Sequence, residues 1–262
     1  MRRDVMQKWL FLWAVFFFTM ISTATQAQIV NMQAALSGDI PDGAGLSAEF
    51  RQEKKSGNTE TERLSGQGTL TYKRPEDLWL LVMRREYSTE SGQSSADSQF
   101  QHLRYRYKFS EHWGWEAYVQ QDADRFRRSA RRNLVGTGPR YQVSPIENLD
   151  VAISAAYMHE REEFSQEEGE LREAKRETER IANTLYLSWK WPDCCTLGNT
   201  LYYQPEIGKI SNHRTLNETS LLIQINKNLS YRISQVYSYN ARPPSSVKKA
   251  DVSFLQALVV KI

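Results

Sequence analysis

The feature that most constrains this chain is an alternation of apolar and polar residues with period two, recurring from about Gly45 to the end. Successive side chains of an extended strand point to opposite faces, so this period marks strands whose two faces meet different surroundings. From His102 to Phe109, Leu103, Tyr105, Tyr107 and Phe109 alternate with His102, Arg104, Arg106 and Lys108. Leu229, Tyr231, Ile233, Tyr237 and Tyr239 share one parity later in the chain, and Ser230, Arg232, Ser234, Ser238 and Asn240 share the other. Val252, Phe254, Leu258, Val260 and Ile262 carry the pattern to the C-terminus. It is weakest where Leu78 to Met83 run apolar without a break. The fold class expected is all-β.

Turn signals interrupt the alternation about eleven times, which defines about twelve strands. Those at 74–77, 110–112, 144–148, 192–195 and 226–228 are short, whereas those at 90–96, 127–131, 164–173 and 206–213 are longer and more polar. Short turns at one end, long loops at the other, an even strand number and both termini on the periplasmic side describe an antiparallel transmembrane β-barrel of the bacterial outer membrane. Trp79, Trp113, Trp115, Trp189 and Trp191 all lie within three residues of a short turn, where an interfacial aromatic belt belongs. In a soluble sandwich, large aromatics would more often fill the middle of the core.

The chain opens with Arg2, Arg3 and Lys8, then an apolar run from Trp9 to Ile21, then small and polar residues to Ala27. That order is a secretory signal peptide, with cleavage expected after Ala27. The run is shorter than the roughly 20 apolar residues of a spanning helix, and no later run approaches that length. The organisation read from the sequence is therefore a signal peptide at 1–27, a short periplasmic segment at 28–44 and a barrel at 45–262. Loss of Arg2, Arg3, Lys8 and Asp4 lowers the net charge from +3 to +1, and a nearly neutral exported chain has no reason to meet nucleic acid. Cys194 and Cys195 are the only cysteines. Two do not make a disulfide framework, and an adjacent pair lacks metal-site spacing; they form either a vicinal bridge or thiols within a turn.

Energetics choose which face of the His102–Phe109 strand points outward. An arginine or lysine facing lipid costs roughly 2–4 kcal/mol at the midplane. Three such costs rival the roughly 5–15 kcal/mol that stabilises a whole domain. Arg104, Arg106 and Lys108 are accordingly assigned to the lumen, where Glu116, Gln120, Asp122 and Asp124 share the matching parity on the next strand. The other reading leaves both polar faces solvated in a soluble periplasmic β protein.

Residues 56–59 (SGNT), Leu103 to Phe109, Trp113-Gly114-Trp115-Glu116-Ala117, Arg125-Phe126 and Gly136-Thr137-Gly138-Pro139-Arg140-Tyr141 together resemble the salt-induced outer membrane proteins of the domain-of-unknown-function 481 family. The resemblance runs from about Gly45 to the C-terminus, and the block from Leu103 to Tyr141 is its most specific part. It implies an outer-membrane barrel of a Gram-negative bacterium, inserted by the barrel assembly machinery, with no catalytic residues, cofactor or metal. Adaptation of the envelope to salt or osmotic change is an extension of that resemblance. Separately, a barrel of about twelve strands has limited interior space that charged side chains can fill, so a narrow or side-chain-filled barrel for small-solute passage, or a structural role, is expected rather than a wide porin. Two departures are the Glu-rich segment 160–179, which reads as an enlarged solvated loop, and a terminal Ile262 in place of the aromatic common at barrel ends.

Other candidates are weighed by their chemistry. Arg127, Arg128 and Arg131 sit in an outward loop, and the planar fork of arginine suits the phosphates of lipopolysaccharide; a solvated loop is the simpler reading. The acidic segment 160–179 faces that loop with opposite sign, so the two are expected to attract each other over the barrel mouth. It lacks the Asp/Asn and Gly spacing of a calcium loop. A lipid-modifying enzyme is the alternative from another class. However, none of His102, His112, His159 or His213 has a serine two residues on, and there is no Gly-x-Ser-x-Gly elbow. Gly66, Gly68, Gly136 and Gly138 precede no helix signal, so a bend, a bulge or close packing is a better reading than a phosphate loop.

Overall fold

In a computed structural model, the described residues are 29, 31–33, 40, 42–55, 61–90, 93–124, 129–164, 175–192, 194–243 and 249–261. They form twelve strands: β1 (Gly43–Lys55), β2 (Thr61–Lys73), β3 (Asp77–Glu90), β4 (Gln93–Lys108), β5 (Trp113–Asp124), β6 (Ser129–Ile146), β7 (Leu149–Phe164), β8 (Lys175–Trp191), β9 (Cys195–Glu206), β10 (Lys209–Gln224), β11 (Leu229–Asn240) and β12 (Ala250–Lys261). Each pairs antiparallel with its sequence neighbours, and β1 pairs with β12 to close the barrel. That last seam is the shortest, joining only Ser47–Phe50 to Leu258–Lys261. Arg232 of β11 reaches across β12 to Glu49 of β1 at 2.8 Å and ties the seam from inside.

Alternation sets which side chains face out. Leu103, Tyr107, Val119, Ile153, Ile233, Val252, Phe254 and Leu258 are exposed on the outer wall, while His102, Arg104, Glu116, Gln120 and Ser234 are buried inside. The five tryptophans all stand exposed at the short-turn end, Trp79 against Tyr105 and Trp189 stacked on Trp191. This one-sided belt marks that end of the hydrocarbon layer. Asn199 and Asn217 also face outward, but each amide donates to the other, and Asn199 donates to Thr219 as well. Amides bonded in this way can sit next to lipid without orphan donors.

Several loops expected from the sequence are strands. β3 continues to Glu90 and β4 resumes at Gln93, and a turn carrying Gly208 at φ +80° joins β9 to β10 within the stretch 206–213. The expected acidic loop at 160–179 is likewise corrected: 160–164 belong to β7 and 175–179 to β8. Strands of this length exceed the roughly 9–11 residues a membrane needs, so the β7–β8 hairpin projects past it. Its outer face accordingly turns from Ile153 and Tyr157 to Arg161, Glu163, Lys175 and Glu177, linked by ion pairs of 3.4–3.8 Å.

The glycines of the Leu103–Tyr141 block let the wall close tightly. A Cβ on Gly138 would lie 2.1 Å from the Ala155 carbonyl oxygen and 2.6 Å from Ala156 Cα, so β6 and β7 touch there as only glycine permits. A Cβ on Gly136 would strike the ring of Tyr118, which lies over it inside the bore. Gly66 and Gly68 face outward; a Cβ on Gly66 would meet the Phe50 ring at 3.9 Å in ordinary contact, and one on Gly68 would meet nothing within 4 Å. Cys194 and Cys195 form a disulfide in the β8–β9 turn.

Candidate functional site

The bore is layered. Nearest the tryptophan end lies an inner ionic cluster. Glu116 Oε2 accepts Arg104 Nη1 at 3.1 Å and Arg106 Nε at 3.3 Å. Period two on β4 puts both arginines on the face opposite Leu103 and Tyr107, and the β4–β5 register sets Glu116 directly against Arg106. Arg104 Nε also donates to His102 Nε2 at 3.2 Å, so the imidazole proton sits on Nδ1 and is shared with Gln120 Oε1 at 3.1 Å. The Arg104 guanidinium lies 4.8 Å from the Tyr118 ring centre. Arg104 and Glu116 are buried on the inner face, with Arg106 paired to Glu116 beside them. Lys108 lies beyond them, exposed at the rim.

At the opposite end is an outer ionic cluster that the sequence reading did not assemble. Glu160 accepts Arg132 Nε at 3.0 Å and Arg180 Nε at 2.8 Å, and it also pairs with Arg214. Arg214 Nη2 reaches Glu162 at 3.0 Å, and Arg132 Nη1 reaches Asp122 at 3.3 Å. Arg180 Nη1 donates to the Gln204 and Asn212 carbonyls. Glu160, Arg132, Arg180 and Arg214 are all at most 2% exposed. Arg132 and Glu160, one from each of the two oppositely charged stretches, pair inside the bore, while 125–128 and 165–174, where the two loops were expected to attract each other, lie outside the described residues. Of the residues assigned to lipopolysaccharide, Arg131 is exposed on β6 opposite Glu163, while Arg127 and Arg128 lie outside the described residues.

Between the clusters the bore carries apolar patches among buried polar side chains such as Gln120, Thr184 and Thr200. Tyr118, Leu134, Ala156, Met158 and Ala182 form one patch, and Tyr202, Leu216 and Val236 form another. Ile29, Asn31, Met32 and Gln33 of the N-terminal segment sit in the space between the walls. Ile29 packs on the Tyr202 patch, and Met32 packs against Leu80, Val82 and Phe100. The Met32 backbone N–H donates to Tyr202 Oη at 3.2 Å, and Arg106 Nη2 donates to Gln33 Oε1 at 3.1 Å. Residues 28–44 were expected in the periplasm; Ile29, Asn31, Met32 and Gln33 are instead buried in the bore. This packing also accounts for the apolar run of β3, because Leu80 and Val82 meet Met32 inside while Trp79 and Met83 face outward. At this level one void of about 20 Å³ is bounded by Ile29, Met32, His102, Tyr118 and Tyr202 among others. It has room for a single water.

Below Gln33 the bore widens into a vestibule of about 840 Å³ at the tryptophan end. Its walls include Arg106, Lys108, Arg140, Gln142, Ser188 and Lys190.

The four histidines lie apart from one another. His102 is in the bore, His112 in the β4–β5 turn against Tyr141, His159 outside against Glu179 at 2.6 Å, and His213 between Tyr203 and Tyr239. Among the described residues, no three His, Cys, Asp or Glu side chains are grouped to hold a metal.

The family model "Protein of unknown function, DUF481" matches residues 48–262. The fold is similar to an outer membrane channel from Pseudomonas putida F1, at 11% identity and a TM-score of 0.53, over 93% of this chain and 100% of that one. It is also similar to the NanC porin, at 13% identity and a TM-score of 0.50, over 82% and 98%. No curated protein is similar to the chain at the level of sequence.

Proposed function

Starting from a chain that belongs to the DUF481 family of unknown function, we propose that it is an outer-membrane barrel whose narrow bore passes small solutes only when its own N-terminal segment is displaced. The observation that carries this reading is the filling of the bore: Ile29 and Met32 sit on apolar wall patches and border a void of about 20 Å³ at mid-height. Barrels of eight strands are closed by their own side chains and those of sixteen or more leave a water channel. Twelve strands leave an interior that side chains and one inserted segment can just fill. Among the described residues the segment is held by the Met32 N–H on Tyr202 Oη, by Asn31 against Tyr202 Oη at 3.5 Å and against Glu218, by Arg106 on Gln33, and by the packing of Ile29 and Met32.

The test is conductance in planar bilayers, comparing a chain that starts at Gln28 with one that starts at residue 34. The first should hold no steady current and the second should conduct. Equal, steady conductance of both would overturn the reading. A role in tolerance to salt or osmotic change follows from the same stopper, since a closable bore limits leakage across the envelope. For Arg131, with Arg127 and Arg128, lipopolysaccharide phosphate is the proposed partner, because an arginine fork donates two hydrogen bonds to one phosphate. Replacing the three with Gln should reduce lipopolysaccharide co-purifying with the protein, and undiminished retention would dismiss it.

A further inference from the structure

The two ionic clusters differ in balance. In the outer cluster Arg132, Arg180 and Arg214 face Asp122, Glu160 and Glu162, so the charges match. In the inner one Arg104, Arg106 and Arg140 gather near Glu116, whose ion pairs among the described residues are with Arg104 and Arg106. Arg140 is 7% exposed and has no ion pair among the described residues; its Nη2 donates to Gln142 at 3.3 Å, and its Nη1 has no partner. Two more buried groups on the same vestibule also lack partners: Gln33 Nε2 and Ser188 Oγ, each 1% exposed. All three can donate hydrogen bonds. A buried donor left unmatched is costly, and a buried cation without a counter-charge more so. The carboxylates around the vestibule do not supply the missing acceptor. Asp77 pairs with Arg74, Asp150 is held by Lys190 at 3.4 Å and by Ser144, and Glu76 and Glu111 lie in the turns at the rim.

We infer that the vestibule floor is a binding site for a small oxyanion, a carboxylate- or phosphate-bearing solute, held by Arg140 and Arg106 with Gln33 and Ser188 completing its hydrogen bonds. Planar guanidinium forks suit two-oxygen groups, and Lys108 at the rim adds an attractive field. Because Arg106 and Gln33 also bind each other, an anion between them contacts the stopper itself. The inference thereby names the solute class for the proposed passage and rests on that reading only for transport. Binding at equilibrium is measured on the closed barrel and stands or falls separately from conduction.

The experiment is calorimetric titration of the purified full-length barrel in detergent, at fixed ionic strength in chloride, with inorganic phosphate and succinate as separate probes. Saturable one-site binding of either is expected, and which one binds tells a phosphate solute from a carboxylate one. Arg140→Gln should weaken binding by at least about tenfold, the loss of one charge-assisted pair. Ser188→Ala should weaken it by about threefold with the melting temperature unchanged or raised, since the hydroxyl has no partner among the described residues. Glu116→Gln should tighten it. Absence of saturable heat with both probes, or affinities untouched by Arg140→Gln and Ser188→Ala, overturns the site. Ser188→Ala decides alone if Arg140→Gln does not fold.

Discussion

Replacing Glu160 with Gln is the sharpest test of how the outer half of the bore is held. Glu160 is 1% exposed, and its carboxylate serves three guanidinium groups: Arg132 and Arg214 on one oxygen, Arg180 on the other. The amide keeps the shape but loses the charge, and it turns one acceptor into an NH₂ that faces an arginine donor. At the least one hydrogen bond to a charged group is lost, worth about 1.5–3 kcal/mol. Three buried arginines then share only Glu162 and Asp122. Breaking a buried pair by removing one partner costs about 3–5 kcal/mol because the remaining charge is uncompensated. The net destabilisation expected is therefore about 3–5 kcal/mol, a large part of the roughly 5–15 kcal/mol of a folded domain. The assay is reversible urea unfolding in lipid vesicles, followed by tryptophan fluorescence. Glu177→Gln is the control: Glu177 lies outside the bore, is mostly exposed and meets Arg161 at 3.8 Å, so its loss should cost less than about 1 kcal/mol. If Glu160→Gln costs no more than that control, the buried cluster does not hold the barrel and the reasoning fails.

Other outcomes follow from the same structure. Gly138→Ala forces a Cβ against the backbone of β7 and should destabilise by about 1–3 kcal/mol, whereas Gly68→Ala, with nothing within 4 Å, should change stability by less than about 0.5 kcal/mol in the same unfolding assay. Leu103→Arg places a cation on the outer wall and should cost up to about 2–4 kcal/mol, less if position 103 lies near the interface; a neutral result would mean that this face is solvated. Met32→Asp puts a charge among Leu80, Val82 and Phe100 and should open the bore to current as truncation does, with the barrel still resistant to unfolding in detergent.

The wall of this barrel and a bore narrowed by inward charges were legible, but the outer cluster and the inserted segment were not, for a physical reason. Strand parity is local: Leu103 and Arg104 declare opposite faces within two residues, and turns between β-strands announce themselves by composition. The tryptophans near short turns gave the belt in the same way, and Arg106 found Glu116 because adjacent antiparallel strands bring sequence neighbours together. The outer cluster depends on contacts across the bore, such as Arg214 with Glu160 at a separation of 54 residues. No local pattern encodes that pairing. Its glutamates also lie in a run so polar that it read as loop, although Glu160 and Glu162 keep the inward parity of Ser154 and Met158. The N-terminal segment left one trace: the unbroken apolar run at Leu78–Met83, where a strand facing lipid on one side and an apolar stopper on the other loses its alternation. Arg140 was visible as an inward residue, but its missing partner is a property of three-dimensional surroundings alone.

The most direct test of the central claim, an outer wall dissolved in hydrocarbon around a filled bore, is cysteine labelling along β11 in lipid vesicles. Ile233 and Gln235 face outward and Ser234 is buried inside. Single cysteines at 233 and 235 should react with a lipid-soluble maleimide and not with a charged one, and a cysteine at 234 should react with neither until the protein is unfolded. Rapid reaction of position 234 with the charged reagent would mean an open water-filled bore, and rapid reaction at all three positions would mean a soluble sheet; either result contradicts the account.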